Sequence, residues 1–296
     1  MAERTLVGMR APRLLRFARS RAGVVVNYHN VVPDGQPAGG DRSLHISRSD
    51  FARQLDVLME THEVTGLPSL IEAGGSDGSS PSAAITIDDG YRGALTVGLR
   101  ELRSRGLPCT IFVPPALLGA EALWWDALAP EGPGGLPTPL REEALTLAGG
   151  RPEDVWSWAA RRGLERRPQP PHAGLVGEDE LGDVVRREGV TVGAHGWTHA
   201  NLAVLGGKEL EDELGRPLNW LKERFGAAFV PWLSLPYGRS TEQVVSTAVE
   251  AGYRGVLDIS GRLLEAELRN QDRTVPRINI PAGLTVDGFR LRTAGL

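Results

Sequence analysis

Seven short runs along this chain read as buried strands, and most of the segments between them are spaced like helices rather than turns. The runs are Gly23 to Tyr28, Ala83 to Ile87, Cys109 to Val113, Val190 to Ala194, Val230 to Leu235, Gly255 to Ile259 and Val275 to Ile280. Each has the length and composition of a strand buried on both faces. Between them Phe51, Leu55 and Leu58 fall at i, i+4 and i+7, and Leu95, Leu99 and Leu102 repeat that spacing. Leu210, Leu214, Leu218, Leu221 and Phe225 continue the pattern further, with Pro217 expected to kink or restart the helix. Ser240 and Gln243 have the spacing of a capping box ahead of a helix that would bury Val244, Val245, Ala248 and Val249. Regular alternation of strand and helix implies parallel pairing through right-handed crossovers. The expected fold is α/β, one domain over 1–296 whose seven strands curl into a distorted (β/α) barrel.

The stretch from Pro114 to Pro171 breaks the rhythm with Glu131-Gly132-Pro133-Gly134-Gly135, Arg151-Pro152-Glu153 and Pro168-Gln169-Pro170-Pro171. We read a small, mainly helical insertion over 114–175 on one face of the barrel. It concentrates four of the seven tryptophans, Trp124, Trp125, Trp156 and Trp158. Indole faces stack well on sugar rings, which makes Trp125 a candidate substrate contact, although small subdomains also use tryptophan to build a core.

With 33 Lys+Arg against 37 Asp+Glu the chain carries a net charge of −4, which argues against nucleic acid and favours a small molecule or an oligosaccharide as substrate. The single cysteine, Cys109, excludes an internal disulfide and belongs to a strand core. Six arginines between Arg4 and Arg21 interrupt any signal-peptide core, and no run approaches the ~18 apolar residues of a spanning helix. The expected location is therefore cytoplasmic. The basic amino-terminal pattern leaves peripheral contact with a membrane surface open. No motif implies an oligomeric state.

In a parallel barrel the strand-to-helix loops all emerge at the carboxyl ends of the strands, where active sites gather. Polar residues collect there: Tyr28-His29-Asn30, Asp88-Asp89-Gly90, His195 and His199, Pro236-Tyr237-Gly238, and Asp258. His195-Gly196-Trp197-Thr198-His199 spaces two imidazoles for a divalent ion, and Gly196 stands where a metalloprotease motif would need glutamate. A third ligand is required, and either Asp88 or Asp89 is placed to supply it. Adjacent carboxylates on an extended chain point opposite ways, leaving the other for a different task.

Thr86-Ile87-Asp88-Asp89-Gly90 and His195-Gly196-Trp197-Thr198-His199 resemble, in order and separation, the first two motifs of the polysaccharide deacetylase family, the NodB-homology or carbohydrate esterase family 4 fold. Tyr28-His29-Asn30-Val31, Phe51 to Leu58, Leu235-Pro236-Tyr237-Gly238 and the closing segments from Arg277 and Phe289 are similar to the permuted branch that includes poly-N-acetylglucosamine deacetylases. The resemblance implies a metal-dependent hydrolase that removes an acetyl group from a sugar, with one divalent ion, expected to be Zn²⁺, on Asp89, His195 and His199. It makes Asp88 the base and, because no histidine follows His199, His29 the acid. The Tyr237 backbone N–H would stabilise the oxyanion, and Pro236 and Tyr237 would line the substrate. The usual arginine before the Pro-Tyr pair is replaced by Ser234-Leu235, so Arg277 is the candidate for its charge and Asp258 a candidate to orient Arg277 or His29. The same machinery would also suit an amidase for a small metabolite, and the missing arginine would suit a glycan-binding protein without turnover.

Overall fold

The computed structural model of the protein describes residues 22–72, 81–132, 134–187, 189–265 and 273–296. The arginine-rich amino-terminal segment, on which the expected location rests, lies outside them. Among the described residues no helix is long and apolar enough to cross a membrane.

The strands are β1 (Val24–Tyr28), β2 (Asn30–Val32), β3 (His45–Ser47), β4 (Glu63–Val64), β5 (Ser82–Asp88), β6 (Cys109–Val113), β7 (Val190–Ala194), β8 (Phe229–Ser234), β9 (Gly255–Leu257), β10 (Thr274–Val275) and β11 (Ile278–Asn279). The main sheet runs β10-β9-β8-β7-β6-β5-β1-β11, with β4 also on β5, and its pairings are parallel. Six of the expected runs each form one strand. The seventh is divided between β10 on one edge and β11 on the other. The division falls at Pro276-Arg277, where proline has no N–H to give to a ladder. One chain segment therefore reaches both edges of the curl. The short parallel pair β2 and β3 and the strand β4 have no sequence pattern of their own.

Side chains alternate across the pleat and make two compartments. Val24, Val26, Tyr28, Ile85 and Ile87 pack outward with the helices. Val25, Ala84, Phe112, Trp232, Leu257 and Val275 form a second cluster with Leu67, Leu70 and Ile71 of the helix Leu67–Glu72. Further along the same inward-facing columns the residues become polar: Asn27, Thr86, Asp88 and Ser234, all buried. Cys109 sits in β6, and burial pushes its thiol up to about 12.

The helix Gly207–Phe225 is continuous through Pro217, and the following helix, Glu242–Ala251, is capped by Thr241, whose side chain accepts from Val244 N, rather than by Ser240. Between β6 and β7 lie the helices Trp124–Ala127, Thr138–Leu147, Pro152–Arg161 and Glu178–Val185.

Candidate active site

The carboxyl ends of the strands converge on a cavity of about 100 Å³ lined by His29, Asp88, Asp89, His195, His199 and Tyr237, with Trp125, Arg141 and Asn279 on its sides. His29 follows β1, Asp88 closes β5, His195 follows β7 and Tyr237 follows β8. Asp89 (φ 72°), His199 (φ 59°) and Tyr237 (φ 59°) are the non-glycine residues with left-handed backbone among those described. All three line this cavity. Such conformations cost of order 1 kcal/mol or more and persist where the surroundings impose them.

Asp89, His195 and His199 bring their donor atoms together. Asp89 Oδ1 lies 3.3 Å from His195 Nε2 and 3.1 Å from His199 Nε2, and the two Nε2 atoms are 3.1 Å apart. Ligands around a tetrahedral ion with bonds of about 2.0–2.1 Å would be roughly 3.3 Å apart, so the triangle has the right size, and two imidazoles with one carboxylate are a donor set zinc accepts. His195 Nδ1–H donates to the Ser234 carbonyl at 2.8 Å, which leaves the Nε2 lone pair free for a cation. Burial opposes ionisation of Asp89, yet hydrogen bonds with His195 and His199 hold its pKa well below the usual carboxylate value. Burial alone would lower His195, but Asp88 and Asp89 raise it; burial and the neighbouring His195 lower His199.

Asp88 faces a different set of partners. Arg277 meets it in a bidentate pair, Nη1 to Oδ1 and Nη2 to Oδ2, both at 2.9 Å. Oδ2 also accepts from Asn27 Nδ2 and Ser234 Oγ, each at 3.0 Å. Three donors serve Oδ2 and one serves Oδ1, so Oδ1 retains acceptor capacity. Burial disfavours the charge, but Arg277 and His195 overcome it and keep Asp88 below the ordinary carboxylate value. Arg277 is itself fully buried and donates further to Asn27 Oδ1 and Ser234 Oγ. Ser234, at the end of β8, thus bridges the pair: its Oγ accepts from Arg277 Nη2 and donates to Asp88 Oδ2.

His29 is partly exposed to the cavity, and burial lowers its pKa although Asp89 and Asp88 pull the other way. Tyr237 turns its hydroxyl away, donating to the Gly150 carbonyl at 3.2 Å and accepting from Trp124 Nε1 at 3.0 Å. Its turn is closed by Gly238 N–H to Leu235 and Arg239 N–H to Pro236, bonds that do not use the Tyr237 N–H. Pro236 is buried beneath this turn.

Two expectations need correcting. The Asp258 carboxylate accepts from Ser260 N and Oγ within its own loop and pairs with neither His29 nor Arg277; Arg277 Nε instead donates to the Asp258 backbone carbonyl at 3.1 Å. Trp125 borders the cavity but offers no stacking face. It is 2% exposed, with its ring against His199, Tyr237 and Trp124.

The site also contains residues that the motifs did not reveal. Asn27 on β1 and Ser234 on β8 point to the same inward face as Asp88, and strand parity is the signal that would have found them. Glu213, on the helix Gly207–Phe225, accepts from Trp197 N, Thr198 N and Thr198 Oγ1 and so holds the loop between the two imidazoles. A single acid on an amphipathic helix gives no such signal.

A family model described as polysaccharide deacetylase matches residues 75–256. No curated protein sequence matches the chain. Among solved structures, the Streptococcus pyogenes deacetylase PplD, in complex with acetate, is similar with a TM-score of 0.64 and 13% identity over 93% of this chain and 99% of that one. IcaB from Ammonifex degensii gives 0.62 and 17% over 93% and 97%, and a de-N-acetylase from Aggregatibacter actinomycetemcomitans gives 0.64 and 14% over 92% and 99%. At these identities the likeness is one of fold.

Proposed function

We propose that this chain, which belongs to the polysaccharide deacetylase family, is a metal-dependent hydrolase that removes the acetyl group from an N-acetylated sugar or glycan. The observation that supports this best is the Asp89–His195–His199 donor triangle beside a second, separately held carboxylate, Asp88. Asp89, His195 and His199 would hold a divalent ion, which we take to be zinc, and the ion would supply Lewis acidity to the acetyl carbonyl and the attacking water.

The remaining work falls to the chain's own groups. Asp88, ionised at neutral pH and with acceptor capacity at Oδ1, takes the proton of the water as it attacks. Arg277 keeps that carboxylate charged and oriented. The Tyr237 N–H donates to the oxygen that becomes negative in the tetrahedral intermediate. His29, on the same cavity, gives a proton to the departing sugar amine when its imidazole is protonated, a form that the neighbouring aspartates favour and burial opposes. Because Arg277 pairs with Asp88 from the last strands, the absence of the motif arginine no longer motivates a role without turnover.

The extent of the substrate is a second question. Trp125 and Arg141, from the proposed 114–175 insertion, line the cavity, which remains open to solvent, so an oligomer and a small acetylated conjugate both belong among the donors to be tested. Acetate release should be measured from N-acetylglucosamine oligomers and from smaller acetylated sugar conjugates after zinc is restored to chelator-treated protein. The wild type is expected to release acetate from at least one, and Asp88→Asn to be slower by roughly 10²–10⁴-fold. Equal inertness of both proteins on every donor would overturn the reading.

A further inference from the structure

The two imidazoles of the donor triangle are supported in different ways. His195 has its ring fixed by the Ser234 carbonyl. His199 Nδ1 is buried without a protein partner, and its backbone is left-handed. Imidazoles that bind metals almost always donate their second N–H to an oxygen that fixes the ring. For His199 the support is packing: the Trp125 ring lies 4.8 Å away, centroid to centroid, and the Tyr237 ring stands perpendicular at 4.6 Å.

Trp125 is in turn held by a directed chain of buried hydrogen bonds. Its Nε1–H donates to Tyr91 Oη at 2.9 Å, and Tyr91 donates to Asp126 Oδ2 at 2.6 Å. Asp126 Oδ1 accepts from His45 Nε2 at 3.0 Å and from the Asp41 backbone N–H at 2.8 Å. Asn30 Nδ2 lies 2.9 Å from His45 Nδ1 and 3.1 Å from His172 Nδ1, and His172 Nε2–H reaches the Pro37 carbonyl at 2.9 Å. With Asn30 donating to both Nδ1 atoms, each imidazole keeps its proton on Nε2 and every donor in the chain has an acceptor. Burying a carboxylate costs several kcal/mol, so a neutral side chain would serve better if packing were its only task. What the charge adds is direction. A tyrosine hydroxyl rotates freely, and a strong acceptor at 2.6 Å turns its proton away from Trp125 and presents its lone pair to the indole N–H.

We propose that Asp126 is a positioning residue for the metal ligand His199: through Tyr91 it fixes the Trp125 ring, and that ring fixes the imidazole. The inference rests on the metal reading given above. It makes the metal site sensitive to a carboxylate that touches neither ion nor substrate.

Cobalt(II) is a suitable probe, because its visible absorption reports ligand geometry independently of turnover. Binding should be titrated for wild type, Tyr91→Phe, Asp126→Asn and the double variant, with near-ultraviolet circular dichroism and thermal melts alongside. Tyr91→Phe deletes only the hydroxyl that links Asp126 to Trp125, and it decides the matter if Asp126→Asn fails to fold. The expected result is cobalt affinity weakened by about 10–100-fold with a changed absorption band. The double variant should be no worse than the more affected single one. Folded Tyr91→Phe with wild-type affinity and spectrum, even at a lower melting temperature, would overturn the inference and leave the metal reading standing. A wild-type protein that bound no cobalt would overturn both.

Discussion

Arg277 and Asp88 form an ion pair with neither side chain significantly exposed, joining residues 189 positions apart. Removing one member of such a pair strands the other charge in a medium that cannot solvate it, at a cost of about 3–5 kcal/mol. Arg277→Met should therefore lower the unfolding free energy by that amount, measured by denaturant titration. Loss of the cation also favours the protonated carboxyl. Asp88 must be ionised to act as base, so its pKa rises and the acid limb of kcat/KM moves to higher pH; Arg277→Lys, which keeps the charge but not the planar fork, should fall between. Unchanged stability and an unmoved acid limb would separate the pair from both tasks. His29 has a test of a different kind. Protonation of the leaving group matters for an amide and hardly at all for nitrophenyl acetate, whose leaving group departs as a stable anion. His29→Ala is expected to lose roughly 10²–10⁴-fold on the N-acetyl substrate and to keep most of its nitrophenyl acetate hydrolysis. A parallel loss on both would assign His29 to holding the site together.

The strand-to-helix loops are where sequence reasoning is both strongest and most incomplete. Asp89, His195 and His199 are legible because metal binding demands those side chains at fixed spacing, and alternating periodicities give the main strands and long helices. The residues that hold the loops in place leave no comparable trace. Glu213 meets two backbone N–H groups and a hydroxyl, but it lies beside Leu210 and Leu214 on a helix whose exposed face is rich in acids. Thr241 rather than Ser240 caps the next helix, a shift of one residue that side-chain chemistry alone does not resolve, since both types cap well. Gly93 is equally opaque in sequence. A Cβ there would come within 2.4 Å of Asn30 Oδ1 and the Val31 carbonyl, so this glycine permits the approach of β2. Glu213→Gln keeps the shape but removes the charge that strengthens the bonds from the Trp197 and Thr198 N–H groups and makes the Thr198 hydroxyl accept where it donated. Its expected effect is a loss of about 1–3 kcal/mol in stability, with zinc affinity weakened by about 10–100-fold in a competition titration. Wild-type zinc affinity in a destabilised Glu213→Gln would show that the loop needs the carboxylate only for folding.

Across the whole molecule, the curl of the sheet turns a local motif into a site. The last expected strand divides at Pro276-Arg277 and supplies both edges, and this brings Arg277 inward toward β5. No periodicity announces such a division, because Val275, Ile278 and Ile280 read as one short strand; the proline is its mark. The barrel also joins Asp89 after β5 to His195 and His199 after β7, so an ion bound there ties two separate stretches of chain in the folded state and has no such triangle in the unfolded one. Linkage then makes zinc a stabiliser: at a free concentration 100 times the dissociation constant the gain is about 2.7 kcal/mol, or roughly 4 °C in melting temperature for a chain of this size. Chelator should reverse it. Asp89→Asn and His199→Ala are expected to lose the zinc-dependent rise, whereas Asp88→Asn, which spares the donor triangle, should retain it while turnover collapses. Scanning calorimetry of the four proteins with and without zinc distinguishes the groups that hold the ion from the carboxylate beside them. A zinc response that survived Asp89→Asn and His199→Ala would place the ion somewhere else in the protein.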